Sequence, residues 1–196
     1  MKPQGTKTSR RSLIGLLVAG GGSRLGAGAV QGGQTTRPQA PLAAKDRFDI
    51  GDRGPEMIKR ASELGAEYLQ KYGNCAQATI AALQDAVEFI PKSDDVYRAG
   101  NCLHGGATAT GNANCGGFTG AGMVIGHLCG RTRAQASDRE ATKLASALIR
   151  QVAAKHEEAY GSVLCKDVRA KAEKKCAEVV ARAAGWAAEA ILKQFS

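Results

Sequence analysis

The chain has 196 residues, enough to bury one real core. It is rich in alanine and glycine and carries only one Trp, four Tyr and four Phe, which favours closely packed helices over a β-sandwich. The formal charge of +9 sits largely at one end: of 27 bases, residues 1–29 hold five (Lys2, Lys7, Arg10, Arg11, Arg24) and no acid, and the other 22 face 18 acids, a balance too mild to argue for nucleic acid as a partner.

Taken in order, the chain opens with an address. Ser9-Arg10-Arg11-Ser12-Leu13-Ile14 leads into an apolar run from Leu13 to Ala19. Small residues follow, with Arg24 among them and Ala27-Gly28-Ala29 as the expected cleavage site. Basic, then apolar, then small is the layout of a removed export signal. The run is shorter than the about 20 residues needed to span a bilayer, so no stable membrane span is expected once the signal is gone. The paired arginines resemble a twin-arginine signal. That resemblance implies export of an already folded protein to the periplasm, often with a cofactor inserted. Residues 30–54 are polar and punctuated by Arg37-Pro38 and Ala40-Pro41, which predicts a flexible linker. The folded domain is expected over 55–196.

Within that domain the spacing predicts an all-α, single-domain bundle of about five helices with a long glycine-rich loop. Pro55 opens the first helix, Met57, Ala61, Leu64 and Tyr68 form its apolar face, and Gly73 ends it. Asn74 is placed to cap a second helix that Cys75 begins and Pro91 ends. A thiolate at Cys75 would be favoured by the helix dipole and by unpaired N–H groups. Residues 92–114 look irregular, and a loop of that length in a compact domain is usually functional. A glycine-rich helix follows Cys115, with Gly116 and Gly120 four apart and Gly122, Gly126 and Gly130 likewise. Glycine costs roughly 1 kcal/mol against alanine inside a helix. Such a row suits close approach of a backbone or a cofactor, and is open to a homodimer as well as an intrachain contact. Ala141, Leu144, Leu148 and Val152 mark a long helix to about Tyr160, stopped by Gly161. Cys165 is expected in a short loop. A last helix, capped by Asp167, is predicted from Val168 to Gln194, with Cys176 on its core-facing stripe.

Six cysteines, none before residue 75, carry the functional question. Three uses compete: disulfides in an exported protein, a metal centre, and inert buried thiols. The absence of any Cys-x-x-Cys pair argues against a zinc knuckle and a thioredoxin-type dithiol, and the absence of Cys-x-x-Cys-His against covalent haem. Four thiolates in a glycine-lined pocket would suit a small iron–sulfur cluster. Composition and spacing leave disulfides and cluster near even.

Four blocks bear on that choice. Asn74-Cys75-Ala76-Gln77-Ala78, Cys115-Gly116-Gly117-Phe118-Thr119-Gly120-Ala121, Gly161-Ser162-Val163-Leu164-Cys165-Lys166-Asp167-Val168, and Cys176 with Val179 and Val180 together resemble the redox-active protein family named C_GCAxxG_C_C. The resemblance covers roughly residues 55–192. The middle block departs from the family name in that Asn114 stands where it has a leading glycine. The family is similar to the non-haem part of split-Soret cytochromes c, in which an iron–sulfur cluster is bound. It implies Cys75, Cys115, Cys165 and Cys176 as redox cysteines and cluster ligands. It implies no haem, and it leaves Cys102 and Cys129 as extras.

Other residues carry less. His127 points away from Cys129 on a helix, His104 in the loop is a reserve ligand, and His156 among Lys155, Glu157 and Glu158 reads as a solvated face. Lys174 and Lys175 either lie in solvent or offset cluster charge. No nucleophile–base set or paired carboxylates suggest hydrolysis. The expectation is an exported electron-transfer protein with a cysteine-ligated iron–sulfur centre of the two-iron type and a redox partner protein. The alternatives are a disulfide-stabilised binding module without a cofactor, and a thiol–disulfide redox protein.

Overall fold

A computed structural model describes residues 40–196; the expected signal at 1–29 and the first part of the expected linker lie outside the described residues. Among the described residues there are seven α-helices: α1 Gly54–Tyr72, α2 Cys75–Ala86, α3 Asp94–Ala99, α4 Gly116–Cys129, α5 Lys143–Tyr160, α6 Cys165–Lys171 and α7 Cys176–Phe195. Among the described residues there is no strand, only an isolated antiparallel bridge between Asn114 and Leu164. The class is all-α as expected, with two more helices than the spacing predicted. Among the described residues no helix is long and apolar enough to cross a membrane.

Helix ends follow local chemistry. Pro55 sits in the first turn of α1, where its missing N–H has no intrahelical role, and Gly73 closes α1 in the left-handed conformation with φ 67°. Asn74 caps α2 through its side-chain oxygen, which accepts the Gln77 N–H at 3.0 Å. Helix α2 stops at Ala86, earlier than Pro91, because Val87 turns extended; Val87 and Ile90 nevertheless remain buried. The stretch expected to be irregular holds α3, capped by the Ser93 hydroxyl on the Val96 N–H at 3.3 Å, and a 3₁₀ turn at Gly100–Leu103.

Helix α7 is the central post and packs on α1, α2, α4 and α5. Its small residues let neighbours come close: Ala183, Ala184, Ala187 and Ala188 are fully buried. The main core gathers Leu64, Ile80, Leu83, Val124, Ile125, Leu148, Val152, Ile191 and Phe195. Each such side chain contributes about 1.5–3 kcal/mol by leaving water. The ordered body also reaches further toward the N-terminus than residue 55. Leu42 N–H donates to the Leu128 carbonyl and Phe48 N–H to that of Phe195, both at 2.7 Å, and Phe48 stacks on Phe89.

One expectation is corrected. The predicted single helix from Val168 to Gln194 is two, α6 and α7. Glu173 and Lys174 take φ of 51° and 66°, left-handed values that end a right-handed helix. Cys176 therefore begins α7 and is half-buried, instead of facing the core from mid-helix. Cys165 likewise opens a helix rather than lying in a loop, because α6 begins at Cys165 and not at the expected Val168.

Candidate functional site

The four cysteines singled out above all stand where a helix begins. Cys75, Cys165 and Cys176 are the first residues of α2, α6 and α7, and Cys115 is the capping residue of α4. The first N–H groups of a helix have no intrahelical acceptor, and the longer helices add a positive dipole end. The Gly117 and Phe118 N–H groups favour a thiolate at Cys115 electrostatically, although its sulfur caps α4 by no hydrogen bond.

Backbone hydrogen bonds bring these starts together. Around the Asn114–Leu164 bridge, Cys115 N–H donates to the Val163 carbonyl at 2.8 Å and Cys165 N–H to that of Ala113 at 2.9 Å. Ser162 steadies α6: its hydroxyl accepts the Leu164 N–H at 3.0 Å and donates to Asp167 at 2.9 Å. The Asn74 amide donates to the Asn101 carbonyl at 2.9 Å, tying the start of α2 to the following loop. That loop returns to the thiols, where Gly105 N–H donates to Cys75 Sγ at 3.4 Å. Gly116 allows the final approach: a Cβ there would strike Cys75 Sγ and lie 3.1 Å from the Ala76 nitrogen.

The thiols lie within mutual electrostatic reach, Cys75 acting on each of the other three. Cys115 and Cys165 are buried, at 6% and 3% exposure, while Cys75 and Cys176 are half-buried. Burial pushes Cys115 up to about 12, with Cys75 and Cys165 adding to it against the two backbone donors. Burial also raises Cys165 and Cys176; Cys75 adds to both, and the Arg169 guanidinium pulls both down. A small apolar cluster of Cys115, Tyr160, Val168 and Val179, backed by Phe118 and Trp186, closes one side.

All six cysteines are free thiols. Among the described residues no three Cys, His, Asp or Glu side chains are arranged to hold a single metal ion. A tetrahedral zinc with sulfur at about 2.3 Å would need its thiols about 3.8 Å apart. A two-iron cluster asks less, because its four cysteines divide as two to each iron. The donor set, four soft thiols at four helix starts, is of the kind that group takes, and Gly116 lets Cys75 Sγ pack directly against the backbone of α4.

The remaining residues sort plainly. Cys102 is exposed, and Cys129 is buried away from the site with its thiol donating to the Ile125 carbonyl at 3.3 Å. His104 Nδ1 lies 3.1 Å from the Asn101 carbonyl, a local contact, and His127 is exposed. His156 is corrected outright: it is 0% exposed, not on a solvated face. It continues the buried stripe Leu148, Val152, His156, Tyr160 at intervals of four, so the signal was present in the sequence despite the charged neighbours. Its Nδ1 lies 3.0 Å from the Val152 carbonyl, its Nε2 has no partner, and the rings of Phe118, Tyr160 and Trp186 surround it. Lys174 and Lys175 are exposed, Lys175 pairing with Glu173 at 3.6 Å. The cation that acts on the thiols is Arg169, one turn after Cys165, which the expected helix start at Val168 concealed.

A family model described as "Putative redox-active protein (C_GCAxxG_C_C)" matches residues 72–190, a span holding all six cysteines. No curated protein and no solved structure matches the chain.

Proposed function

This chain belongs to the redox-active C_GCAxxG_C_C family, and from that membership we propose an electron-transfer protein whose centre is an iron–sulfur cluster of the two-iron type. Cys75, Cys115, Cys165 and Cys176 are its ligands. The observation that supports this is that Cys75 lies within electrostatic reach of Cys115, Cys165 and Cys176, the four thiols standing at four separate helix starts, with Gly116 letting Cys75 Sγ close on the α4 backbone.

Bound there, a cluster supplies a one-electron couple. The chain's own residues do the rest. Each cysteine gives up a proton to ligate, and because burial raises three of them, assembly releases protons and weakens as pH falls. The N-terminal ends of α2, α4 and α7 and the Arg169 guanidinium favour the negative charge that results. Phe118, Tyr160, Val168, Val179 and Trp186 keep water from the Cys115 side. The half-buried Cys75 and Cys176 face the side from which a redox partner protein exchanges electrons. The Arg10-Arg11 pattern supports delivery to the periplasm as a folded, loaded protein.

Anaerobic purification from an exporting host, with visible absorption and iron and sulfide analysis, tests this. Bound iron and sulfide that are lost in Cys75→Ser and Cys165→Ser but kept in Cys102→Ser are expected. Colourless, iron-free protein with Cys75 joined to a neighbouring cysteine on non-reducing mass spectrometry would replace the cluster by a thiol–disulfide couple.

A further inference from the structure

Behind Cys115 the aromatic side chains run in file to the outer face of α5 and α7. Cys115 and Tyr160 are buried in one small apolar cluster with Val168 and Val179. The rings of Tyr160 and Trp186 lie 6.2 Å apart between centroids, a contact distance for an aromatic pair. Trp186 is half-buried and lines a groove of about 380 Å³, with Gln151, Lys155 and Glu158 on the α5 side and Glu189 and Lys193 on its own helix. The chain has one Trp, and it stands where this file reaches the surface. Electron tunnelling falls off exponentially with distance, and tyrosine and tryptophan are the side chains that most readily give up an electron next to thiols.

His156 packs against both rings, 5.9 Å from that of Tyr160 and 5.0 Å from that of Trp186. Its Nδ1 donates to the Val152 carbonyl at 3.0 Å, which leaves Nε2 as a bare acceptor. Burial holds the imidazole below its ordinary range, so Nε2 carries no proton at neutral pH. Nε2 also has no partner, although the residue is fully buried. Such an atom costs about 1–3 kcal/mol, and an apolar side chain would fill the same space without that cost. A group of this kind asks for a chemical role. Phenol and indole become strong acids when they lose an electron, so a bare base between them moves the proton that oxidation sets free. We propose that Tyr160 and Trp186 relay single electrons between the Cys115 sulfur and the α5–α7 groove, with His156 Nε2 passing the proton between the two rings. A one-electron oxidant in the groove takes an electron from Trp186, and the indole proton leaves to water. The indolyl radical then takes an electron from Tyr160, whose hydroxyl proton passes by way of Nε2 to the indole nitrogen. The tyrosyl radical takes an electron and the S–H proton from Cys115. In sum the oxidant gains one electron, water gains one proton and Cys115 is left as a thiyl radical. The relay rests on the redox role of the family's thiols and not on the iron–sulfur cluster.

Pulse radiolysis of the full-length chain, reduced and metal-free, in azide solution tests each step. The azide radical takes one electron from an indole and becomes azide, and Trp186 is the only indole. Time-resolved absorption is expected to show the indolyl radical decaying, at a rate independent of protein concentration, as a tyrosyl radical rises. In Tyr160→Phe the indolyl radical is expected to persist, while Tyr68→Phe, whose hydroxyl bonds Asp85 elsewhere on the surface, matches the parent. Parent-like decay in Tyr160→Phe overturns the relay. His156→Leu is expected to slow the step between the rings about 100-fold, the lower end of what a positioned base contributes; a parent-like rate overturns the role of Nε2. In Cys115→Ala the tyrosyl radical is expected to outlive that of the parent, and an equal lifetime overturns the link to the thiols. Because no metal is present, these outcomes stand apart from whether the chain binds iron.

Discussion

At Gly116 one methyl group separates helix packing from the site. A Cβ there would meet Cys75 Sγ, and the Ala76 nitrogen and Leu103 carbonyl oxygen lie 3.1 and 3.2 Å away, so nothing around it can yield cheaply. Gly116→Ala is expected to lose bound iron and about 1–3 kcal/mol of stability, the usual cost of overpacking. Gly126, in the same helix, is exposed and has nothing within 4 Å of its missing Cβ; Gly126→Ala is expected to gain up to about 1 kcal/mol. Urea denaturation of the pair reads both, and equal effects would show that the glycines act only through helix propensity. His156 gives a second test at this scale. Burial holds its imidazole below the ordinary range. The unfolded chain therefore takes up a proton, near its ordinary pKa of about 6.5, that the folded chain refuses. Stability from this group is present above that pH and lost as pH falls, by at most about 1.4 kcal/mol per unit. His156→Leu is expected to flatten stability between about pH 6.5 and 5 and, by removing the unpartnered Nε2, to add about 1 kcal/mol at neutral pH. A slope that survives the substitution would place the acid sensitivity elsewhere.

Among the elements, the break between α6 and α7 governs what the thiols can do. Had the last helix run unbroken from Val168, Cys176 would sit mid-helix on the core face; the left-handed Glu173 and Lys174 instead make it a helix start beside Cys75 and Cys165. Cys176→Ser is thus expected to lose iron while melting within a few degrees of the parent, since the side chain is half-buried. Lys174→Gly, relieving a strain of roughly 1–2 kcal/mol less the extra chain entropy of glycine, is expected to stabilise by about 0.5 kcal/mol. The same break shows what the sequence made legible. Helices α1, α4 and α5 announce themselves by apolar spacing and by glycine or proline at their ends, and Asn74 marks the start of α2. The α6–α7 break carries no such mark, because the exposed Glu173 and Lys174 enter the left-handed region without glycine. Helix α3 is too short for periodicity to reveal, although Ser93 before Asp94 and Asp95 is a cap followed by acids in the first turn. Which cysteines group together was legible only through the resemblance, since their meeting depends on the Asn114–Leu164 bridge and on turn 105–109, neither of which has a periodic pattern.

Among the described residues, core and site are two distinct apolar clusters that meet only at Phe118 and Trp186. The main apolar cluster is built by α1, α2, α4, α5 and α7, whereas the apolar residues at the thiols form a small cluster around Cys115. Removing the proposed cluster is therefore expected to leave helix content intact and to change how stability depends on pH. In metal-free protein burial raises Cys115 from 9.0 to about 12 and raises Cys165 and Cys176 as well. Above about pH 9 the unfolded chain sheds these protons and the folded chain keeps them, so stability present below that pH is lost as pH rises toward the folded values. Cys115 alone makes the loss about 2 kcal/mol at about pH 10.5. In loaded protein the ligating thiols have no proton left to lose, so this alkaline loss vanishes; the sensitivity moves to acid, where protons compete with iron for sulfur. Denaturant midpoints across pH, for loaded and metal-free protein and for metal-free Cys115→Ala, should thus give a flat, a falling and a less steeply falling alkaline limb. Parallel limbs in loaded and metal-free protein would mean that Cys115 is not a ligand, because a thiol that binds iron cannot also keep its proton.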